Sequence, residues 1–150
     1  MTRLNTILMV DDNPDFIELA RRAFGKACIT NPVVVAEDGA EALAYLFATG
    51  AWAGRSRESN PALVLLDLKL PRIGGMEVLL QLRADPRTRN LPVVILTTSV
   101  EERDVIRSYE LGCNSYIRKP IDFVQLADAI RQLGQYWLTL NEPPPAEGGA

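Results

Sequence analysis

The sequence predicts an α/β fold: one domain built on a doubly wound, five-stranded parallel sheet, (βα)5, with helices on both faces. Five short runs rich in Val, Ile and Leu alternate with segments of helical apolar spacing, the pattern of repeated strand–helix units. Four of the runs end in polar residues, as strands do when their C-terminal ends line one ligand-binding edge. The chain has 150 residues, 47% of them hydrophobic, so one core suffices and no staple is needed.

The first strand, Ile7 to Val10, ends in Asp11 and Asp12. Asn13 is a good N-cap and Pro14 suits the first helical position, so a helix follows to about Lys26 with Phe16, Leu19, Ala20 and Ala23 inward. Val33 to Ala36 is the second strand. Residues 39–49 form the second helix, with Ala42, Leu43, Leu46 and Phe47 at helical spacing. Residues 50–61, with Gly, Ser, Arg and Asn, make a long connection, either a mobile edge or an interaction loop. The third strand, residues 62–66, ends in Asp67 and leads through Pro71 and Gly74-Gly75 into a helix over 76–84. The fourth, Val93 to Leu96, ends in Thr97 and Thr98. Ser99 with Glu102 three residues on then spells a capping box for a helix that runs to Leu111-Gly112. The fifth strand is short, Tyr116-Ile117, and its end, Arg118, Lys119 and Pro120, opens the last helix.

That last helix is long. Phe123, Leu126, Ile130, Leu133, Trp137 and Leu140 form one apolar stripe over about 19 residues, or ~28 Å at 1.5 Å per residue. A five-residue strand spans only ~17 Å, so the turns carrying Tyr136, Trp137 and Leu140 are expected to project beyond the sheet and to need a fold-back or a partner. Residues 141–150 hold three prolines, Glu and glycines, and read as a disordered tail.

Composition narrows the function. A net charge of -3 lacks the basic footprint of a nucleic-acid binder. Cys28 and Cys113 are isolated, with no CxxC spacing, and read as buried free thiols of a reducing compartment. The polar start and the absence of any apolar run near ~18 residues predict no signal segment, no membrane span and a cytoplasmic location. The chain has no histidine. That excludes Ser-His-Asp and Cys-His triads, a histidine metal cluster and an internal phosphohistidine.

In a parallel sheet the strand ends share one edge, where Asp11, Asp12, Asp67, Thr97 and Lys119 converge. Three crowded carboxylates repel one another and invite a hard cation. Mg2+ takes about six oxygens and is commonly held by one or two carboxylates plus substrate phosphate. Asp12 and Asp67 suit direct ligation, Asp11 suits a water-mediated role, and the backbone carbonyl after the Asp67 turn, that of Lys69, adds an oxygen. Lys119 is a point charge for a phosphoryl oxygen, Pro120 is a candidate cis-proline behind it, and Thr97 offers one hydrogen bond. Singly, each has a plainer reading: turn-capping aspartates, a surface lysine, a strand threonine. Jointly they suit phosphoryl transfer, with an aspartate as the nucleophile that forms an acyl phosphate.

The segments Val10-Asp11-Asp12-Asn13-Pro14, Leu65-Leu66-Asp67-Leu68-Lys69-Leu70-Pro71 with Gly74-Gly75, Ile95-Leu96-Thr97-Thr98-Ser99 and Ser115-Tyr116-Ile117-Arg118-Lys119-Pro120 carry a resemblance. The chain resembles the receiver domain of two-component response regulators, the CheY-like family, over about residues 5–140. The resemblance implies a flavodoxin-like sheet of order 2-1-3-4-5, a receiver over residues 1–140 with an extended last helix, and Asp67 as acceptor of a phosphoryl group from a kinase phosphohistidine. It further implies magnesium held by Asp11, Asp12 and Asp67, phosphoryl contacts from Lys119, Thr97 and the backbone of Thr98, and Thr97 and Tyr116 as a switch pair. Those two would move the face made by the fourth helix, fifth strand and fifth helix. Lys69 lies where the family varies and tunes the access of water.

More narrowly, residues 50–61, the Asp67-Leu-Lys-Leu-Pro spelling and the Tyr136-Trp137 extension are similar to single-domain regulators that partner bacterial phytochrome kinases. This implies a phytochrome-type sensor histidine kinase as partner and a downstream phosphotransfer protein. It also implies a homodimer through that face and the last helix, with Phe123, Ile130, Tyr136, Trp137 and Leu140 as candidate contacts. No output domain fits in the tail, and no direct contact with nucleic acid or membrane is expected. The reading is a signalling module rather than an enzyme. An aspartate-nucleophile phosphatase of the haloacid dehalogenase type wants an aspartate where Lys69 stands. A flavodoxin-like FMN or nucleotide binder wants a phosphate-cradling glycine loop after a strand. A phosphorylation-independent pseudo-receiver would not need the intact acidic set.

Overall fold

Every central strand buries both of its faces, and alternate residues serve two separate cores. The structure, a computed structural model, describes residues 6–55, 60–119 and 122–144. Its elements in order are β1 (Ile7–Val10), α1 (Pro14–Lys26), β2 (Val33–Ala36), α2 (Gly39–Leu46), a 3₁₀ turn (Gly50–Trp52), β3 (Leu63–Leu66), α3 (Gly75–Ala84), β4 (Val93–Thr97), α4 (Glu102–Glu110), β5 (Ser115–Arg118), α5 (Phe123–Leu133) and a π-helical continuation (Gly134–Leu140). The five strands are parallel in the order β2-β1-β3-β4-β5. This is the flavodoxin-like arrangement expected. Leu8, Val10, Val64, Leu66, Val93 and Ile95 pack toward α2 and α3. Ile7, Met9, Leu63, Leu65, Val94 and Leu96 pack toward α1 and α5. Among the described residues no helix is long and apolar enough to cross a membrane.

The helix starts follow local chemistry. Asn13 Oδ1 accepts from the amides of Asp15 and Phe16 at 2.9 and 3.2 Å, and Asp38 Oδ1 accepts from Glu41 at 2.7 Å, so α1 and α2 begin on side-chain caps. The Ser99-Glu102 capping box does not form. Helix α4 starts two residues later than that box requires, behind Glu101, which provides no side-chain cap; the buried Ser99 hydroxyl instead pairs with Asp104 Oδ2 at 2.5 Å.

The helix ends depart from expectation. Helix α2 stops at Leu46 rather than Thr49, because Ala48 takes φ +54° and the chain closes with Ala48 N donating to Tyr45 O and Thr49 N to Ala44 O. This pairing is a Schellman motif, which wants glycine at the left-handed position. Helix α1 ends the same way, with Cys28 at φ +58°, Cys28 N on Gly25 O and Ile29 N on Phe24 O. Cys28 is thereby pushed to the surface, so only Cys113 meets the expectation of a buried thiol. Helix α4 alone uses glycine there, Gly112 at φ +100°.

The described part of the 50–61 connection is docked rather than free. Arg55 caps the end of α2, donating from Nε to Tyr45 O at 2.7 Å and from Nη2 to Leu46 O at 3.0 Å, while Trp52 meets the Tyr45 ring edge-on with centroids 4.9 Å apart.

The long last helix is present, but its stripe is not continuous. After Leu133 the backbone switches to i→i+5 bonding, so residues four and five apart share a face. Gly134 is buried so close to Ile29 that a Cβ would stand 2.6 Å from its Cδ1, and Trp137 and Leu138 lean on the α1/α5 core. The expected projection is therefore largely a fold-back. Of the candidate dimer residues, Ile130 is corrected: it is 2% exposed, inside its own core. Phe123 and Trp137 are half-buried, and Tyr136 and Leu140 are exposed.

Relieving the left-handed strain with Ala48→Gly or Cys28→Gly is expected to raise the unfolding free energy by about 0.5–1 kcal/mol. Urea titration checks this; an unchanged or lowered midpoint in both variants would mean that neither position is strained.

Candidate functional site

Strand register creates the site. Val10 pairs with Leu66 across β1 and β3, so the next residues, Asp11 and Asp67, emerge side by side at the sheet edge. Their amides are tied to neighbouring strands, Asp11 N to Ala36 O and Asp67 N to Val10 O, each at 3.0 Å. Strand β5 lies beyond β4, roughly two strand spacings or 9–10 Å from β3. Only a long side chain spans that gap, and the strand between must end small. Lys119 is the long side chain and Thr97 is the small end, with Lys119 N donating to Thr97 O at 2.7 Å.

Lys119 Nζ stands 2.8 Å from Asp11 Oδ2 and 3.1 Å from Asp67 Oδ2. The second oxygen of each carboxylate accepts a backbone amide: Asn13 N on Asp11 at 2.9 Å and Lys69 N on Asp67 at 3.3 Å. Asp11 and Asp67 are 2% and 5% exposed, whereas Asp12 is exposed. Two buried carboxylates thus share one ammonium. Burial pushes the Asp11 carboxyl above its usual range, and the hydrogen bonds from Lys119 and Asn13 only partly offset this, with Asp67 adding to the rise. Burial alone would depress Lys119, but Asp11 and then Asp67 outweigh it and hold the ammonium above the ordinary lysine value. Lys119 therefore stays charged, and the cluster keeps an excess of negative charge.

That excess fits a divalent cation. One carboxylate oxygen from each of Asp11, Asp12 and Asp67 lies within 4.8 Å of the others, and all are hard oxygen donors. Glycine makes the approach to this edge physically allowed. A Cβ on Gly75 would stand 2.2 Å from the Asp67 carbonyl oxygen, and the Gly75 amide donates to Leu68 O at 3.0 Å.

Of the other residues singled out in the sequence, Thr97 is fully buried and Thr98 exposed. Thr97 Oγ1 accepts from Ser99 N at 3.4 Å, and the Tyr116 hydroxyl donates to Ser99 O at 3.3 Å. The Lys69 side chain is exposed. The Pro120 assignment falls outside the described residues. Two participants were missed. Ser99 joins Thr97, Tyr116 and Asp104, a role hidden because its sequence context spells a helix cap. Phe16, read only as core, lies beneath the Lys119 ammonium.

Residues 7–131 match the response regulator receiver domain model. The chain is 41% identical over 138 residues to a probable methanogenesis regulatory protein, FilR2, of Methanothrix harundinacea, covering 92% of this chain and 86% of the relative. Among solved structures it is similar to the phosphorylated cyanobacterial phytochrome response regulator RcpA, at 38% identity and a TM-score of 0.86 over 94% of this chain and 99% of that one. It is also similar to the bacteriophytochrome response regulator RtBRR, at 49% identity and a TM-score of 0.77 over 95% and 86%. With a carboxylate–lysine cluster at the sheet edge and a match across most of its length, the chain belongs to the response regulator receiver domains, the signalling modules of two-component systems.

Proposed function

We propose that Asp67 accepts a phosphoryl group from the phosphohistidine of a sensor histidine kinase of phytochrome type, and that the modified chain signals through protein contacts. The observation that carries this reading is the Lys119 ammonium, buried and 3.1 Å from Asp67 Oδ2 within an acidic cluster. A carboxylate oxygen of Asp67 bonds to phosphorus as the P–N bond breaks, and the electron pair returns to the imidazole of the kinase. Asp11, Asp12, Asp67 and the Lys69 carbonyl would hold Mg2+, which when bound neutralises charge on the transferring phosphoryl oxygens. Lys119, the Thr97 hydroxyl and the Thr98 amide contact those oxygens. The similarity to RcpA and RtBRR supports a phytochrome-type donor.

The acyl phosphate adds roughly two negative charges beside Thr97. Recruiting the Thr97 hydroxyl disturbs its contact with Ser99, and Ser99 passes the displacement to Asp104 on α4 and to Tyr116 on β5. The α4-β5-α5 face is then the output surface. Helix α4 suits this role because Ser108 is its only buried residue. Residues 1–140 act as the receiver with its extended helix and 141–150 as a tail, in the cytoplasm, with a phosphotransfer protein as a downstream recipient. A second copy of the chain fits the same face: Ile106 and Tyr109 on α4, Val124 on α5, and Tyr136 and Leu140 beyond it are large apolar groups left exposed.

Acetyl phosphate with Mg2+ should add one phosphoryl group to the wild type and none to Asp67→Asn, read by intact mass. A wild type without adduct refutes the phosphoacceptor reading. Asp11→Asn removes one of two buried carboxylates that compete for one ammonium. It should raise the stability of the metal-free protein at neutral pH and abolish the stabilisation that Mg2+ brings, both read by thermal denaturation with and without the ion. For the dimer, sedimentation should show Leu140→Asp and Ile106→Asp shifting wild-type dimers toward monomer in the presence of beryllofluoride. Wild type that stays monomeric at high concentration excludes that assembly.

A further inference from the structure

The Lys119 ammonium has a neighbour that carries no charge. Its Nζ lies 4.3 Å from the centroid of the Phe16 ring, inside the roughly 6 Å over which an aromatic face attracts a cation. Phe16 is 8% exposed, and its place is set from two sides. The Asn13 cap holds its amide in the first turn of α1, and its ring packs in the core shared by α1, α5 and the sheet. An aliphatic side chain could also fill that core, but only an aromatic face also interacts with the ammonium above it.

We infer that Phe16 is a positioning residue for phosphoryl acceptance, its ring seating the Lys119 ammonium beside Asp67; this rests on the phosphoacceptor reading above. In the metal-free cluster the ammonium is placed by Asp11 Oδ2 and Asp67 Oδ2. Both anchors weaken during the reaction: a cation shared with Asp11 draws its negative charge away from the ammonium, and formation of the acyl phosphate on Asp67 consumes the other carboxylate. Lysine has a flexible four-carbon stem that would otherwise regain its freedom at that moment. The quadrupole of the Phe16 ring is unaffected by either event, so it keeps the ammonium where the phosphoryl oxygens arrive.

The test is a double-mutant cycle on the full chain, reading beryllofluoride affinity at saturating Mg2+, with melting temperature recorded for every variant. Phe16→Leu and Phe16→Met remove the aromatic face while conserving most of the volume, and Phe16→Tyr keeps it. Each is made in the wild type and in Lys119→Ala. Expected are an about three- to tenfold weakening for Leu and Met and near-complete retention for Tyr, with no further loss for Leu or Met once Lys119 is alanine. Two results overturn the inference: equal affinity for Leu, Met and Tyr, or the same loss in the Lys119→Ala background. A wild type that binds no beryllofluoride is a distinct outcome, which removes the phosphoacceptor reading and this inference with it.

Discussion

The ion pair of one ammonium with two buried carboxylates is the constraint on which the rest of the structure depends. Asp11 and Asp67 are nearly inaccessible, and each would be costly to bury charged without Lys119. The three residues come from β1, β3 and β5, so their meeting requires the whole sheet to be in register. It also requires β4 to end in a residue short enough for lysine to cross. Thr97, fully buried, meets that demand and brings a hydroxyl to the same place. The arrangement is satisfied yet unbalanced in charge, which keeps Lys119 protonated and leaves Asp11 strained toward its neutral form. A site in this condition is prepared for further positive charge and resists losing what it has.

The start of α1 is organised around that pair. Asn13 donates its amide to Asp11, and its side chain caps the helix; Pro14 occupies the first helical position, and Phe16 follows under the ammonium. Three of the four positions after the acidic pair thus serve helix initiation and site geometry together. On the opposite side of the site, a chain of hydrogen bonds from Thr97 through Ser99 reaches Tyr116 and Asp104. Helix α4, to which it leads, is anchored at its far end, where Arg83 donates to Gly112 O at 2.9 Å and to Asn114 Oδ1 at 3.0 Å. Its first turn depends on the short Ser99–Asp104 contact. A helix fastened at the end remote from the site and lightly held near it is the part of the fold that a change at the sheet edge moves most cheaply.

Much of this was legible in the chain itself. The apolar runs placed all five strands, and the polar residues that end them named Asp11, Asp12, Asp67, Thr97 and Lys119 as one group, because parallel strands must share an edge. Helix ends were less legible, since Cys28 and Ala48 occupy left-handed positions that composition assigns to glycine. The capping box at Ser99 misled because its hydroxyl had a stronger partner in Asp104. The stripe through Trp137 and Leu140 misled because it assumes 3.6 residues per turn, and the backbone abandons that period at Gly134 to lay Leu138 on the core.

The sequence by itself determined the fold class, the number of strands and the chemistry gathered at their ends, because strand burial and strand direction follow from patterns local in the chain. Only the tertiary structure decided that two carboxylates share one ammonium, that Phe16 lies beneath it, that Ile130 is core rather than surface, and that Ser99 links Thr97 to Asp104 and Tyr116. Each of those facts is a distance between side chains that are either far apart in sequence or turned by a local backbone choice, and no periodicity within one element encodes such a distance.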